Sequence, residues 1–210
     1  VEPGAGVSDD LVGRLLIASA LPAMLWIRQR PVLHAGAVVL PGRSQAVALG
    51  GAAGAGKSTV LEQLVRAGGR LVADDTIGLS VGDGTVMVSG LPGGCYLAGT
   101  ATQRKADRVF HPVSARQQCG SAELGAFIHL APPLPQCDPG FARVEGVDAL
   151  ALLLNARHRH AVVRLLGQEH ACFACLAAMS RCLPVYRWSR SRGAAGLSDS
   201  ERLFLESVAN

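Results

Sequence analysis

Lysine is nearly absent from this 210-residue chain: among 20 basic residues only Lys57 and Lys105 are lysines, and the arginines are spread along the sequence. With a formal net charge of only +4, that distribution argues against a nucleic-acid footprint and leaves a mild attraction for anionic ligands. Charge is sparse too, at 17% of residues against 49% hydrophobic, which rules out a disordered chain. The most apolar stretch, residues 15–27, falls short of the roughly 20 residues that span a bilayer and is interrupted by Pro22. It reads as a buried helix, and no membrane partner is expected. The start of the chain is acidic and Gly-containing without a basic leader, so no signal peptide is expected.

The six cysteines, at positions 95, 119, 137, 172, 175 and 182, are too unevenly spaced for a secreted disulfide framework, which points to a reducing cytoplasm. Cys172 and Cys175, with His170 and Cys182 near them, come closest to a zinc motif. They lie in an apolar helical stretch, however, and no second pair follows. Neither internal repeats nor low-complexity tracts occur. The length suits one domain over residues 1–210, opening with a helical segment over 1–32.

Residues 33–40 and 45–49 are Val-rich runs joined by Pro41-Gly42-Arg43-Ser44, the pattern of two strands and a tight turn. A helix is expected over 59–67, stopped by Gly68-Gly69, and then a strand over 70–73 that ends in two carboxylates. Residues 77–81 and 85–88 flank Gly82-Asp83-Gly84 as a hairpin, which makes the sheet mixed. Over 89–118 periodicity fades, marking a candidate lid or substrate loop. A strand over 127–130, helices over 147–154 and about 161–181, and a last strand over 184–188 complete an α/β pattern of mixed sheet with flanking helices.

Between the second strand and the first helix stands Gly51-Ala52-Ala53-Gly54-Ala55-Gly56-Lys57-Ser58, which matches G-x-x-x-x-G-K-[ST] at every fixed position. Small residues let successive N–H groups turn toward phosphates, and the adjoining helix adds its partial positive charge. The expected ligand is ATP with Mg²⁺. Lys57 reaches the β- and γ-phosphates, the Ser58 hydroxyl ligates the metal, and Thr59 continues the site. Asp74 and Asp75 follow at a strand's carboxyl end, where open α/β sheets bind ligands. One of them could hold the metal and the other accept a hydroxyl proton, although Asp is also common in turns and caps. His34 opens the strand before the loop. It lies beside the phosphates if that strand neighbours the loop's strand, and is otherwise a core histidine. His158, His160 and His170 read as helix-surface or helix-end residues with no role.

Leu33-His34-Ala35-Gly36, the phosphate loop and Gly68-Gly69-Arg70-Leu71-Val72-Ala73-Asp74-Asp75 together resemble the catalytic domain of the HPr kinase/phosphorylase family over about residues 33–90. Cys182-Leu183-Pro184-Val185-Tyr186-Arg187-Trp188 resembles the closing strand of its short members. The resemblance implies Asp75 as the base that activates an acceptor serine and Asp74 as its neighbour near the metal. It also implies His34 as the active-site histidine, and Lys57 and Ser58 as nucleotide and Mg²⁺ ligands. The family's R-G-L-G-I-I-N-V signature has no counterpart here. That favours the tailoring kinases of lasso-peptide clusters, which phosphorylate the C-terminal serine of a precursor peptide, over a kinase for HPr. The expected partner is therefore a serine-bearing peptide or protein, with self-association implied by the hexamers of the family. A nucleotide-binding regulator without transfer activity is the reading from a different class.

Overall fold

The computed structural model describes residues 12–13, 15–98, 108–132, 139–190 and 196–209. A π-helical turn, Leu16–Ala20, runs into helix α1, Leu21–Ile27. Pro22 falls in the first turn of α1, where no N–H is required, so it helps to start the helix. The sequence reads this stretch as a buried helix, with an interface between copies as the other use of its apolar residues. In fact only Pro22 and Trp26 of α1 are buried, whereas Leu15, Leu16, Met24 and Ile27 are exposed.

The run expected as a single strand over 33–40 is two, β1 (Val32–Leu33) and β2 (Gly36–Val39), with His34 at the bend between them. Strand β3 (Ala46–Gly51) leads through the phosphate loop into helix α2 (Lys57–Arg66). At its end Gly68, at φ +100°, donates to the Val65 carbonyl and Gly69 to the Leu64 carbonyl, a Schellman closure. Then come β4 (Arg70–Ala73) and the hairpin of β5 (Ile77–Gly82) and β6 (Thr85–Ser89).

The 89–118 segment is not a loop in its described parts. It forms a second hairpin, β7 (Gly94–Ala98) with β8 (Arg108–Pro112), and a 3-10 turn at Ala115–Gln117; residues 99–107 lie outside the described residues. Strand β9 (Ser121–Leu130) is longer than expected, and β10 (Gly140–Val144) is additional. The long helix expected near the end is two, α4 (His160–Leu165) and α5 (Glu169–Cys182), after α3 (Gly146–Asn155). Gly167, at φ +64°, closes α4 through bonds to Arg164 and through Gln168 to Val163. Strand β11 (Val185–Ser189) and helix α6 (Asp199–Ser207) follow, the helix opened by the Ser198–Glu201 capping box.

Among the described residues the main sheet runs β1-β5-β6-β9-β3-β2-β4, with β11 and then β10 branching from β9. Strands β3, β9 and β11 are parallel, while β2 is antiparallel to both its neighbours. Strand β2 and all of β3 except its final residue are buried, because helices cover both faces. One core packs Trp26, Phe127, Leu153 and Leu176 on the side of α1, α3 and α5. The other packs Leu49, Leu61, Ile128, Trp188 and Leu205 on the side of α2 and α6.

The sequence pattern predicts that the strands closing at Gly50 and Asp74 lie side by side, with the Asp pair close to the phosphate loop. Instead β2 lies between them, so they stand two strand spacings apart, roughly 10 Å. Because β2 runs the opposite way, its amino end falls between their carboxyl ends. This crowding requires glycine at position 36: a Cβ there would lie 2.2 Å from Leu61 Cδ1 and 2.5 Å from the Asp74 carbonyl oxygen. Gly36→Ala should therefore cost about 1–3 kcal/mol, the usual penalty of overpacking. The check is a lower urea midpoint at unchanged m-value; an unchanged midpoint would mean that β2 is not tightly held.

Candidate active site

The phosphate loop is shaped by three glycines whose φ angles are positive, Gly51 at +135°, Gly54 at +84° and Gly56 at +93°. At Gly51 a Cβ would also meet the Leu130 carbonyl oxygen at 2.6 Å. Lys57, the first residue of α2, is only 7% exposed. Its ammonium donates to the carbonyls of Gly51 (2.8 Å) and Ala52 (3.3 Å) and lies 3.4 Å from His34 Nε2. The first turn of α2 turns its N–H groups toward the same loop, an anion site by construction.

A lysine ammonium only donates, so its contact with Nε2 leaves the proton of a neutral His34 on Nδ1. That nitrogen faces Asp75, 3.3 Å from Oδ1 and 3.2 Å from the carbonyl oxygen. Lys57, His34 and Asp75 thus form a continuous chain across the amino end of β2. For Asp75, burial pushes the carboxyl up, but the His34 hydrogen bond and the charges of His34, His158 and Lys57 outweigh it. The net pKa lies below the ordinary carboxylate value.

His158, read from its helix-end context as having no role, belongs to this cluster. The His34 N–H donates to the Ala156 carbonyl at 2.7 Å and the His158 N–H to the Val32 carbonyl at 2.9 Å, so the turn after α3 is zipped against β1. The two imidazole centroids are 5.1 Å apart. His158 Nδ1 meets buried Thr76 Oγ1 at 3.1 Å, and its carbonyl accepts from Trp26 Nε1 at 2.7 Å. Burial foremost, and then the neighbouring His34, push its pKa down to about 4. His129, at the end of β9 opposite Gly50, is also held neutral, by burial first and then by Arg187 and Lys57.

The cleft is lined by His34, Ala53, Gly54, Gly56, Lys57, Ser58, Thr59, Asp75 and Tyr96. Ala55 is buried beneath the loop. Asp74 turns the other way: it is 7% exposed, and its Oδ2 accepts the Tyr96 N–H at 2.8 Å, tying β4 to β7. His34, Asp75 and His158 offer ligand atoms within 4.8 Å of one another, but two imidazoles suit a transition metal better than Mg²⁺. The oxygens that suit Mg²⁺ in this cleft are the Ser58 hydroxyl and the Asp75 carboxylate.

No family model and no curated protein matches the chain. Among solved structures it is similar to the Hpr(Ser) kinase/phosphatase from Coxiella burnetii, at 16% identity and a TM-score of 0.43 over 84% of this chain and 93% of that one. No helix among the described residues is long and apolar enough to cross a membrane.

The cluster makes stability depend on acidity. Unfolded, His158 takes up a proton near its ordinary value of 6.5; folded, it does so only at about 4. Stability is full above the first value and falls as pH drops toward the second. Asp75, with its depressed folded pKa, acts in the same direction at lower pH. Urea midpoints should decline between about pH 7 and pH 4, and His158→Gln should flatten that decline. An equally steep decline in the variant would contradict a neutral imidazole at this position.

Proposed function

We propose that the protein is an ATP- and Mg²⁺-dependent kinase that phosphorylates a serine hydroxyl on a peptide. The finer reading is the C-terminal serine of a lasso-peptide precursor, acting in the cytoplasm. The observation that carries the kinase reading is the shared cleft of Asp75, Lys57 and Ser58, bridged by His34. A module that only binds nucleotide needs the loop but no carboxylate held at its mouth.

In the proposed reaction Lys57 leaves the Gly51 and Ala52 carbonyls for the β- and γ-phosphates, and loop N–H groups hold the remaining phosphate oxygens. Ser58 would hold Mg²⁺, which would neutralise phosphate charge. The serine oxygen bonds to the γ-phosphorus as the bridge to the β-phosphate breaks, leaving ADP. The serine proton passes to Asp75, and His34 Nδ1–H keeps that carboxylate aimed. A carboxylate with a lowered pKa is a weak base. That suits a metaphosphate-like transition state, which asks little of its nucleophile.

A peptide acceptor is supported by the hollow on the far side of Asp75. It is about 110 Å³, mostly apolar, and walled by Ile17, Leu21, Leu91, Tyr96 and Phe110. Leu91 and Phe110 are exposed there, as a surface that receives apolar side chains beside the acceptor would be. Asp74, expected as a metal ligand with Ser58, also holds the Tyr96 edge of this wall through its Oδ2. An HPr-type protein acceptor is the alternative, and the exposed apolar face of α1 would serve self-association.

Lys57→Ala should reduce phosphoryl transfer by about 10²–10³-fold, as loss of a transition-state charge contact does. Asp75→Asn should keep nucleotide affinity within a few fold and lower single-turnover transfer by about two to four orders of magnitude. Both are read by measuring affinity and transfer to a serine peptide across a Mg²⁺ titration. If Asp75 chiefly holds the metal, affinity falls with rate and extra Mg²⁺ restores activity; a near-wild-type rate at every Mg²⁺ concentration removes Asp75 from the mechanism.

A further inference from the structure

His34, Asp75 and His158 come from three separate places: the amino end of β2, the carboxyl end of β4 and the turn after α3. Among the described residues they are the one group of three histidine, cysteine or acidic side chains whose ligand atoms converge, all within 4.8 Å of one another. The reaction proposed above uses His34 and Asp75 and leaves His158 without a task. We propose that the three side chains form a second metal site, for a divalent transition ion of the zinc and cobalt kind, separate from the Mg²⁺ of the phosphate loop. An ion bound there takes Asp75 out of phosphoryl transfer and so inhibits it. That consequence, unlike the site itself, rests on the kinase reading.

The spacings match such an ion. Bonds of about 2.0–2.2 Å to nitrogen and oxygen put two ligands of a tetrahedral ion about 3.4 Å apart. His34 Nδ1 and Asp75 Oδ1 already stand at 3.3 Å. The same bonds put the centres of two imidazoles on one ion about 5 Å apart. Those of His34 and His158 are 5.1 Å apart. The side chains of His34 and Asp75 are 31% and 35% exposed, so an ion reaches them from the cleft.

The surrounding contacts orient the ligands. Buried Thr76 Oγ1 lies 3.1 Å from His158 Nδ1. When that oxygen accepts the Nδ1–H, the lone pair of the ring is on Nε2, the arrangement in which metal-bound histidines are held. Both imidazoles stand on tied backbone, through the His34 N–H to Ala156, the His158 N–H to Val32 and the His158 carbonyl to Trp26 Nε1. An ion on His34 Nδ1 sends the proton there to Nε2, and none is released. Lys57, 3.4 Å from Nε2, then turns from it and keeps its bonds to the Gly51 and Ala52 carbonyls. Two neutral nitrogens and one carboxylate oxygen suit Zn²⁺, Co²⁺ or Ni²⁺, whereas Mg²⁺ takes oxygens. With Asp75 engaged, the serine proton has no acceptor, while the phosphate loop stays open.

The experiment titrates Co²⁺ into metal-free protein and reads its visible absorption. The expected result is one ion per chain in a four- or five-coordinate nitrogen and oxygen site, displaced by Zn²⁺. Thr76→Val should weaken binding about 10–100-fold, the range for loss of an outer-shell partner, and His158→Gln by at least about a hundredfold. Ser58→Ala, which removes the loop's own metal ligand, should leave Co²⁺ binding unchanged. A signal undiminished in His158→Gln, or lost in Ser58→Ala, overturns the site. Wild-type protein without such a band overturns it with no variant needed. Transfer to a serine peptide is then followed at buffered free Zn²⁺, where saturation should lower the rate at least about a hundredfold with no recovery on added Mg²⁺. Full transfer at saturation overturns the inhibitory role. No transfer even by metal-free protein overturns the kinase reading, and the inhibitory role with it, and leaves the site to the cobalt titration.

Discussion

The site depends on one piece of backbone geometry, the insertion of β2 between β3 and β4 in the opposite direction. Parallel strands β3 and β4 would by themselves present the phosphate loop and Asp75 about two strand spacings apart, too far for direct contact. The reversed strand starts in that gap, and His34 at its amino end fills it, touching Lys57 on one side and Asp75 on the other. Gly36 makes the close approach possible, and the pairing of 32–34 with 156–158 fixes where the chain turns.

The electrostatics follow from that placement. A lysine, two imidazoles and a carboxylate share a half-buried pocket, and their mutual effects settle which groups are charged. Asp75 stays ionised because its neighbours outweigh the cost of burial, and His158 stays neutral because burial and nearby cations oppose its protonation. The pocket at neutral pH therefore contains a carboxylate that can receive a proton and an ammonium that can meet phosphate. The His34 imidazole bridges them.

Much of the fold and the phosphate loop could be read from residue types, because fixed glycines and short Val-rich runs are local signals. Three glycines of the loop coincide with the three positive φ angles the loop needs. What failed to show was non-local. No periodicity in the sequence says that β2 enters between β3 and β4, so the side-by-side expectation missed it. His158 reaches the site through backbone pairing across more than a hundred residues, which its helix-end context does not reveal. The β7–β8 hairpin is hidden by a Gly-rich, polar stretch with weak alternation. Two further boundaries do have local signals, Gly167, which divides α4 from α5, and the Ser198-x-x-Glu201 box that opens α6.

In the proposed reaction, nucleotide binding at the loop and proton acceptance at Asp75 serve one transfer to serine. Its most direct test is mass spectrometry of serine-bearing peptides, free and C-terminal serines compared, after incubation with the protein, ATP and Mg²⁺. The expected result is a gain of one phosphoryl group on serine, with one ADP released for each. ATP that binds, or is slowly hydrolysed, without any peptide or protein acquiring phosphate would contradict it and leave a nucleotide-binding regulator in its place.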